Sequence, residues 1–129
     1  MAKIAIIDDD QDFREIISSA LMAGGHEIVE AESGKEGYEL INAENPDLAI
    51  VDLMMETNDA GFILCHKVKK NPDLKDIPLI MLTAVTSETG YKFGIDTPEG
   101  KKWIGADAYL DKPVPTEELV ERVRQLLKR

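Results

Sequence analysis

The feature that most limits what this chain can fold into is a rhythm, in which short unbroken aliphatic runs alternate with helical stripes of apolar residues along all 129 residues. Residues 3–7 (KIAII), 48–51 (LAIV) and 79–82 (LIML) are continuous runs. A strand with one wet face would alternate polar and apolar residues, so these runs suit strands covered on both faces, as in a parallel sheet. Residues 27–31 (EIVEA) and 108–110 (AYL) are weaker and read as edge strands. Between them, Phe13, Ile16, Ile17, Ala20 and Leu21 mark an amphipathic helix closed by Gly24-Gly25. Ser33 with Glu36 is a capping-box start for a second helix, which should end before Asn45-Pro46. Gly61, Leu64, Cys65 and Val68 share a face of a third. Leu119, Val120, Val123, Leu126 and Leu127 form the stripe of a C-terminal helix. Strand followed by helix, five times over, defines an open doubly wound α/β domain with right-handed crossovers and helices on both faces.

Composition narrows the functions such a domain can have. A length of 129 residues gives one domain, and 43% apolar with 31% charged residues is the balance of a folded chain. Twenty-five acidic against fifteen basic residues give a formal net charge of -10. Such a surface repels a phosphate backbone and argues against direct nucleic-acid binding or docking on an anionic membrane. Cys65 is the only cysteine, so no internal disulfide forms, which fits the cytoplasm. The N-terminal apolar run is far too short for a signal peptide or a membrane span.

In open α/β sheets ligands sit in the crevice at the carboxyl ends of the strands. There the first strand runs into Asp8-Asp9-Asp10, the third into Asp52, the fourth into Thr83-Ala84 and the fifth into Asp111-Lys112-Pro113. Each residue alone has a structural reading: Asp10 as the cap of the first helix, Asp12 as a solvated first-turn acid, Thr83 as a β-branched strand residue. Together these readings fail, because like charges ~4 Å apart repel by ~1 kcal/mol in water and ~4 kcal/mol near a protein surface. A pocket holding Asp8, Asp9 and Asp52 needs a cation. Carboxylate oxygens without paired His or Cys select Mg²⁺, or Mn²⁺, over zinc, and a partly hydrated Mg²⁺ expects a phosphoryl oxygen. Lys112 and the Thr83 hydroxyl are natural phosphoryl partners, so the site reads as phosphoryl transfer.

The stretches IIDDDQDFR, PDLAIVDLMM, IPLIMLTA and GADAYLDKP, in that order, resemble the successive signatures of the receiver domain of two-component response regulators, across essentially the whole chain. The resemblance implies a five-stranded parallel sheet of flavodoxin-like order 2-1-3-4-5. It makes Asp52 the phosphoacceptor, and Asp8 and Asp9 the acidic pair for Mg²⁺, with Asp9 binding directly, Asp8 largely through water, and the Met54 carbonyl as a further ligand. It gives Thr83, the Ala84 N–H and Lys112 to the phosphoryl group, Thr83 and Tyr109 to a conformational switch, and a cis peptide bond to Pro113. The donor would be a histidine kinase or phosphotransfer protein, and phosphorylation would remodel the helix expected after Thr83, the fifth strand and the C-terminal helix. The implied reaction is the domain's own phosphorylation and dephosphorylation, not turnover of a separate substrate.

Two stretches depart from the family pattern. After Asp52 the loop MMETNDAGF carries Glu56 where a proline is usual and one extra residue before Gly61. Residues 86–105 are longer than the pattern, with Gly90, Gly94 and Gly100 interrupting a helix, Asp96, Pro98 and Glu99 restarting a short one, and Tyr91, Phe93 and Trp103 along it. This segment reads either as a loop pinned to the sheet edge or as a lid or partner surface. Met54 and Val85, apolar beside the expected phosphoryl position, imply slow self-dephosphorylation. Cys65 on the core-facing stripe reads as a packed thiol. With nothing after the C-terminal helix, the expectation is a stand-alone receiver, a single domain over 1–129 without an output domain, that signals by docking to another protein. Rival classes fit less well. A phosphatase of the haloacid dehalogenase type wants an aspartate where Met54 stands, a flavin binder would not place DDDQD at its phosphate loop, and a receiver-like module that binds without phosphorylation would not need all five phosphorylation residues.

Overall fold

The computed structural model describes residues 2–53, 60–83, 106–111 and 114–128, and the structural statements below concern these. Five parallel strands, β1 (Lys3–Ile7), β2 (Glu27–Ala31), β3 (Leu48–Asp52), β4 (Leu79–Thr83) and β5 (Ala108–Asp111), form one sheet in the order β2-β1-β3-β4-β5. The two strands with the weakest apolar runs, β2 and β5, are indeed the edges. Four helices are described: α1 (Gln11–Ala23), α2 (Gly34–Glu44), α3 (Ala60–Lys70) and α4 (Thr116–Leu127). The 86–105 segment, with its glycines and aromatics, lies outside the described residues, as does the stretch around Glu56.

The unbroken aliphatic runs arise because each strand feeds two cores. Successive side chains point to opposite faces of a sheet. Thus Ile4 and Ile6 join Leu48, Ile50, Ile80 and Leu82 under α1 and α4, while Ala5 and Ile7 join Ala49, Val51, Leu79 and Met81 under α2 and α3. The first core is closed by Ile17 and Leu21 of α1 with Leu119, Val123 and Leu126 of α4. The second is closed by Ile41, Leu64, Cys65 and Val68. Fully burying each such side chain stabilises by about 1.5–3 kcal/mol, so truncating a central one such as Ile6, wholly inaccessible to solvent, removes that and leaves a cavity.

Local signals set the helix ends. Asp10 caps α1, its carboxylate accepting the Phe13 N–H at 3.2 Å. The helix closes on Gly24, whose N–H reaches the Leu21 carbonyl, and Gly25 takes the left-handed φ of +92° that a side chain would strain. Ser33 accepts the Glu36 N–H at 3.1 Å at the start of α2, and Asn45 ends it in the left-handed conformation, with φ 46°. One position on α1 differs from the expected stripe: Ile16 is 57% exposed, and Ser18 is buried instead. The buried face centres on Ile17, Ser18 and Leu21, and Ile16 lies a full 100° of helical rotation from Ile17, on the solvent-facing flank.

Candidate functional site

The register of the sheet builds the site. Ile7 is level with Val51, so Asp8 and Asp52 leave β1 and β3 side by side; Asp52 is in turn level with Leu82, and Thr83 with Asp111. Asp8 and Asp52 are almost fully buried, at 1% and 5% exposure, while Asp9 is exposed. Carboxylate oxygens from Asp8, Asp9 and Asp52 lie within 4.8 Å of one another, the one such group of three potential ligands among the described residues. Asp10 stands apart from them as the cap of α1. The triple aspartate thus divides into two pocket acids and one helix starter.

The backbone around these acids is held from several sides. The Asp8 N–H donates to the Ala31 carbonyl at 3.1 Å, and the Asp10 N–H donates to Asp8 Oδ1 at 2.9 Å. Arg14 Nη1 donates to the Asp8 carbonyl at 2.6 Å, while its Nε pairs with Glu30 at 3.0 Å. Beneath Asp52, the Leu53 N–H continues the ladder to the Leu82 carbonyl at 2.8 Å, and the Gly61 N–H donates to the Leu53 carbonyl at 2.8 Å. A β-carbon on Gly61 would collide with the Asp52 carbonyl oxygen and stand 2.7 Å from Leu53 Cα. Only glycine lets the start of α3 pack this close to the strand end.

Three carboxylates converging in a largely buried pocket repel one another, and a divalent cation would offset that repulsion. The all-oxygen donor set fits Mg²⁺ or Mn²⁺ and not zinc. His26 and His66 lie elsewhere; His26 Nδ1 accepts the Ala2 N–H at 3.3 Å. Of the other residues expected here, Thr83 ends β4, but its side chain, together with Met54, Ala84, Lys112 and Pro113, lies outside the described residues. Tyr109 is partly buried against the core under α2 and α3; burial pushes its hydroxyl up to about 12, against a lowering hydrogen bond from the Ala106 backbone. Cys65, wholly buried, is likewise raised by burial to about 12, which makes it the packed thiol expected.

Sequence reading missed Arg14 and Gly61 as site residues. The signal for Arg14 was a cation on the core-facing side of the first helix, one turn from the acids. For Gly61 it was a glycine on the buried stripe of α3.

The fold and the pocket define a doubly wound α/β domain with an acidic site at the carboxyl ends of its central strands. The chain belongs to the response regulator receiver domain family, whose sequence model, "Response regulator receiver domain", matches residues 4–124. It is 37% identical over 129 residues to the DNA-binding dual master transcriptional regulator RpaA of Synechocystis sp. strain PCC 6803, covering 100% of this chain and 50% of that protein. It is 36% identical over 126 residues to the phosphate regulon transcriptional regulatory protein PhoB of Pseudomonas aeruginosa, covering 98% and 52%. The chain therefore spans about half the length of these curated relatives. Its structure superposes on the receiver domain of the Francisella response regulator 1452 with a TM-score of 0.82 at 33% identity, covering 100% of this chain and 98% of that one. The chemotaxis response regulator CheY4 of Vibrio cholerae also scores 0.82, at 26% identity and 98% coverage of each chain. The expected strand order and family are both borne out.

Proposed function

We propose that this receiver takes a phosphoryl group onto Asp52 from a phosphohistidine of a histidine kinase or phosphotransfer protein, in a reaction that requires Mg²⁺, and passes the signal to a partner protein by a change of shape. The observation that carries this reading is the meeting of Asp8, Asp9 and Asp52 oxygens within 4.8 Å at the carboxyl ends of β1 and β3. Asp8 and Asp9, with the Met54 carbonyl, would hold the cation; Mn²⁺ fits the same donors. When bound, Mg²⁺ supplies charge neutralisation for the phosphoryl oxygens.

The residues of the chain do the rest. An Asp52 carboxylate oxygen attacks phosphorus in line, an O–P bond forms as the P–N bond breaks, and the departing imidazole nitrogen takes up a proton. Buried Asp52 is held by its own strand and by the close approach of Gly61, so little reorganisation is left for the reaction step. Thr83, the Ala84 N–H and Lys112 would bind the transferred group, and Lys112 would offset its charge. Phosphorylation would replace the single carboxylate charge of Asp52 with a phosphoryl group carrying about two negative charges. Thr83 would move toward them and Tyr109 would turn further inward, a two-state element biased by local charge. The 1–129 stretch is read as one receiver unit working in the cytoplasm, with its 86–105 extension falling in sequence between Thr83 and Tyr109. Among the described residues, no helix is long and apolar enough to cross a membrane.

Incubation with Mg²⁺ and acetyl phosphate followed by intact-mass spectrometry tests this reading. The expected result is a gain of one phosphate in the wild type and none in Asp52→Asn or after chelation. An unphosphorylated wild type, or an equal gain in Asp52→Asn, overturns it.

A further inference from the structure

Asp8 and Asp52 are fixed by burial, but Asp9, within 4.8 Å of them, is exposed. Its place depends on the peptide that precedes it. That peptide begins where the sheet ends: Ile7 is the last residue of β1, and the Asp8 N–H still reaches β2, at the Ala31 carbonyl. The Asp8 carbonyl instead accepts from Arg14 Nη1 at 2.6 Å, and the same guanidinium is steered from its other side by Glu30 at 3.0 Å. With its side chain 13% exposed, Arg14 is a held group and not a solvated one. Contacts to the N–H, the carbonyl and one carboxylate oxygen thus help to set the orientation of Asp8.

We propose that Arg14, oriented by Glu30, is a positioning residue for divalent-cation binding, holding the Asp8–Asp9 peptide in the orientation that brings Asp9 into the pocket. The proposal rests on the reading of Asp8 and Asp9 as cation-site acids. Its sign separates it from a plain charge effect. A guanidinium beside the pocket repels a divalent cation, so by charge alone its removal tightens binding. By positioning, its removal lets the peptide rotate and weakens binding. Glu30 offsets much of the charge of Arg14, which leaves the geometric effect dominant. Lysine is a poor substitute, because a single ammonium cannot reach the carbonyl and Glu30 with the fixed fork of a guanidinium.

The test measures cation affinity directly on the full chain, by Mn²⁺ electron paramagnetic resonance and Mg²⁺ calorimetry, with acetyl phosphate labelling as a second arm. Arg14→Ala should raise the dissociation constant about tenfold, the scale seen when groups that orient metal ligands are removed. Arg14→Lys should raise it roughly threefold, the ammonium keeping one of the two contacts. In both, the labelling rate at saturating Mg²⁺ should recover toward wild type. Unchanged or tighter binding in folded Arg14→Ala overturns the proposal. If that variant does not fold, a wild-type affinity in Arg14→Lys and in Glu30→Gln overturns it. A wild type that binds the cation but takes no phosphate, alongside weakened binding in Arg14→Ala, removes the phosphoacceptor reading and leaves the positioning role standing.

Discussion

The two ends of this sheet are both acidic, yet they use their carboxylates in opposite ways. At the amino ends of the strands, Asp47 accepts the Lys3 N–H at 2.8 Å, and Asp107 accepts the Leu79 N–H at 2.8 Å and the Lys69 ammonium at 3.3 Å. Glu44 pairs with the Lys3 ammonium at 3.0 Å, which raises the pKa of Lys3. At the carboxyl ends, Asp8, Asp9 and Asp52 crowd together within 4.8 Å. The polarity of a parallel sheet explains the contrast. Strand starts present unpaired N–H groups that a carboxylate satisfies, whereas strand ends present carbonyls that offer it nothing. Acids at the amino end are thereby structural, whereas those gathered at the carboxyl end repel one another, a cost that a bound cation would offset.

The carboxyl end is disturbed most by altering the backbone on which it is built. Gly61→Ala forces its β-carbon into the Asp52 carbonyl, and overpacking against backbone should cost about 3 kcal/mol in chemical denaturation, with phosphorylation lost in parallel. A wild-type midpoint would show that α3 yields easily and that Asp52 is not held by this contact. At the amino end, Asp107→Ala leaves the Leu79 N–H and Lys69 without their shared acceptor and should destabilise by about 2 kcal/mol. The opposite sign is expected at the carboxyl end. In EDTA, Asp52→Asn relieves repulsion and should stabilise by about 1 kcal/mol, while the further stabilisation that millimolar Mg²⁺ gives the wild type disappears. Destabilisation by both Asp107→Ala and Asp52→Asn would erase the distinction between the two ends.

Much of this was legible in the sequence because it rests on local rules. Continuous LAIV and LIML runs specify doubly covered strands, and the serine and aspartate caps and the Gly24-Gly25 stop act within a few residues. Asp10 could be separated from Asp8 and Asp9 because a cap position follows from where the helix begins. What sequence could not give depends on neighbours distant along the chain. Whether Ile16 or Ser18 faces the core is decided by where α4 lies across α1, and the apolar pattern alone favours Ile16. Arg14 matters through a carbonyl six residues back and a glutamate sixteen residues on, a pairing that exists only once β2 is aligned beside β1.

Between the two charged ends lies a middle zone whose acids stay neutral, and it supplies the mildest test. Burial raises the Cys65 thiol from 9.0 and the Tyr109 hydroxyl from 10.0, each to about 12. For an acid raised in the folded state, the neutral form is favoured there. Their contribution to stability is therefore complete below pH 9 and is lost as the pH climbs toward 12. Denaturation midpoints should hold steady through pH 8–9 and fall above it, with the fall reduced in Cys65→Ala measured against its own value at pH 8. Cys65 should also resist a disulfide reagent at pH 8 at a rate set by opening of the α2 and α3 core. Rapid labelling of the native protein would place this thiol nearer to solvent than its packing under α3 allows, and would extend the polar character of the two ends into the middle of the domain.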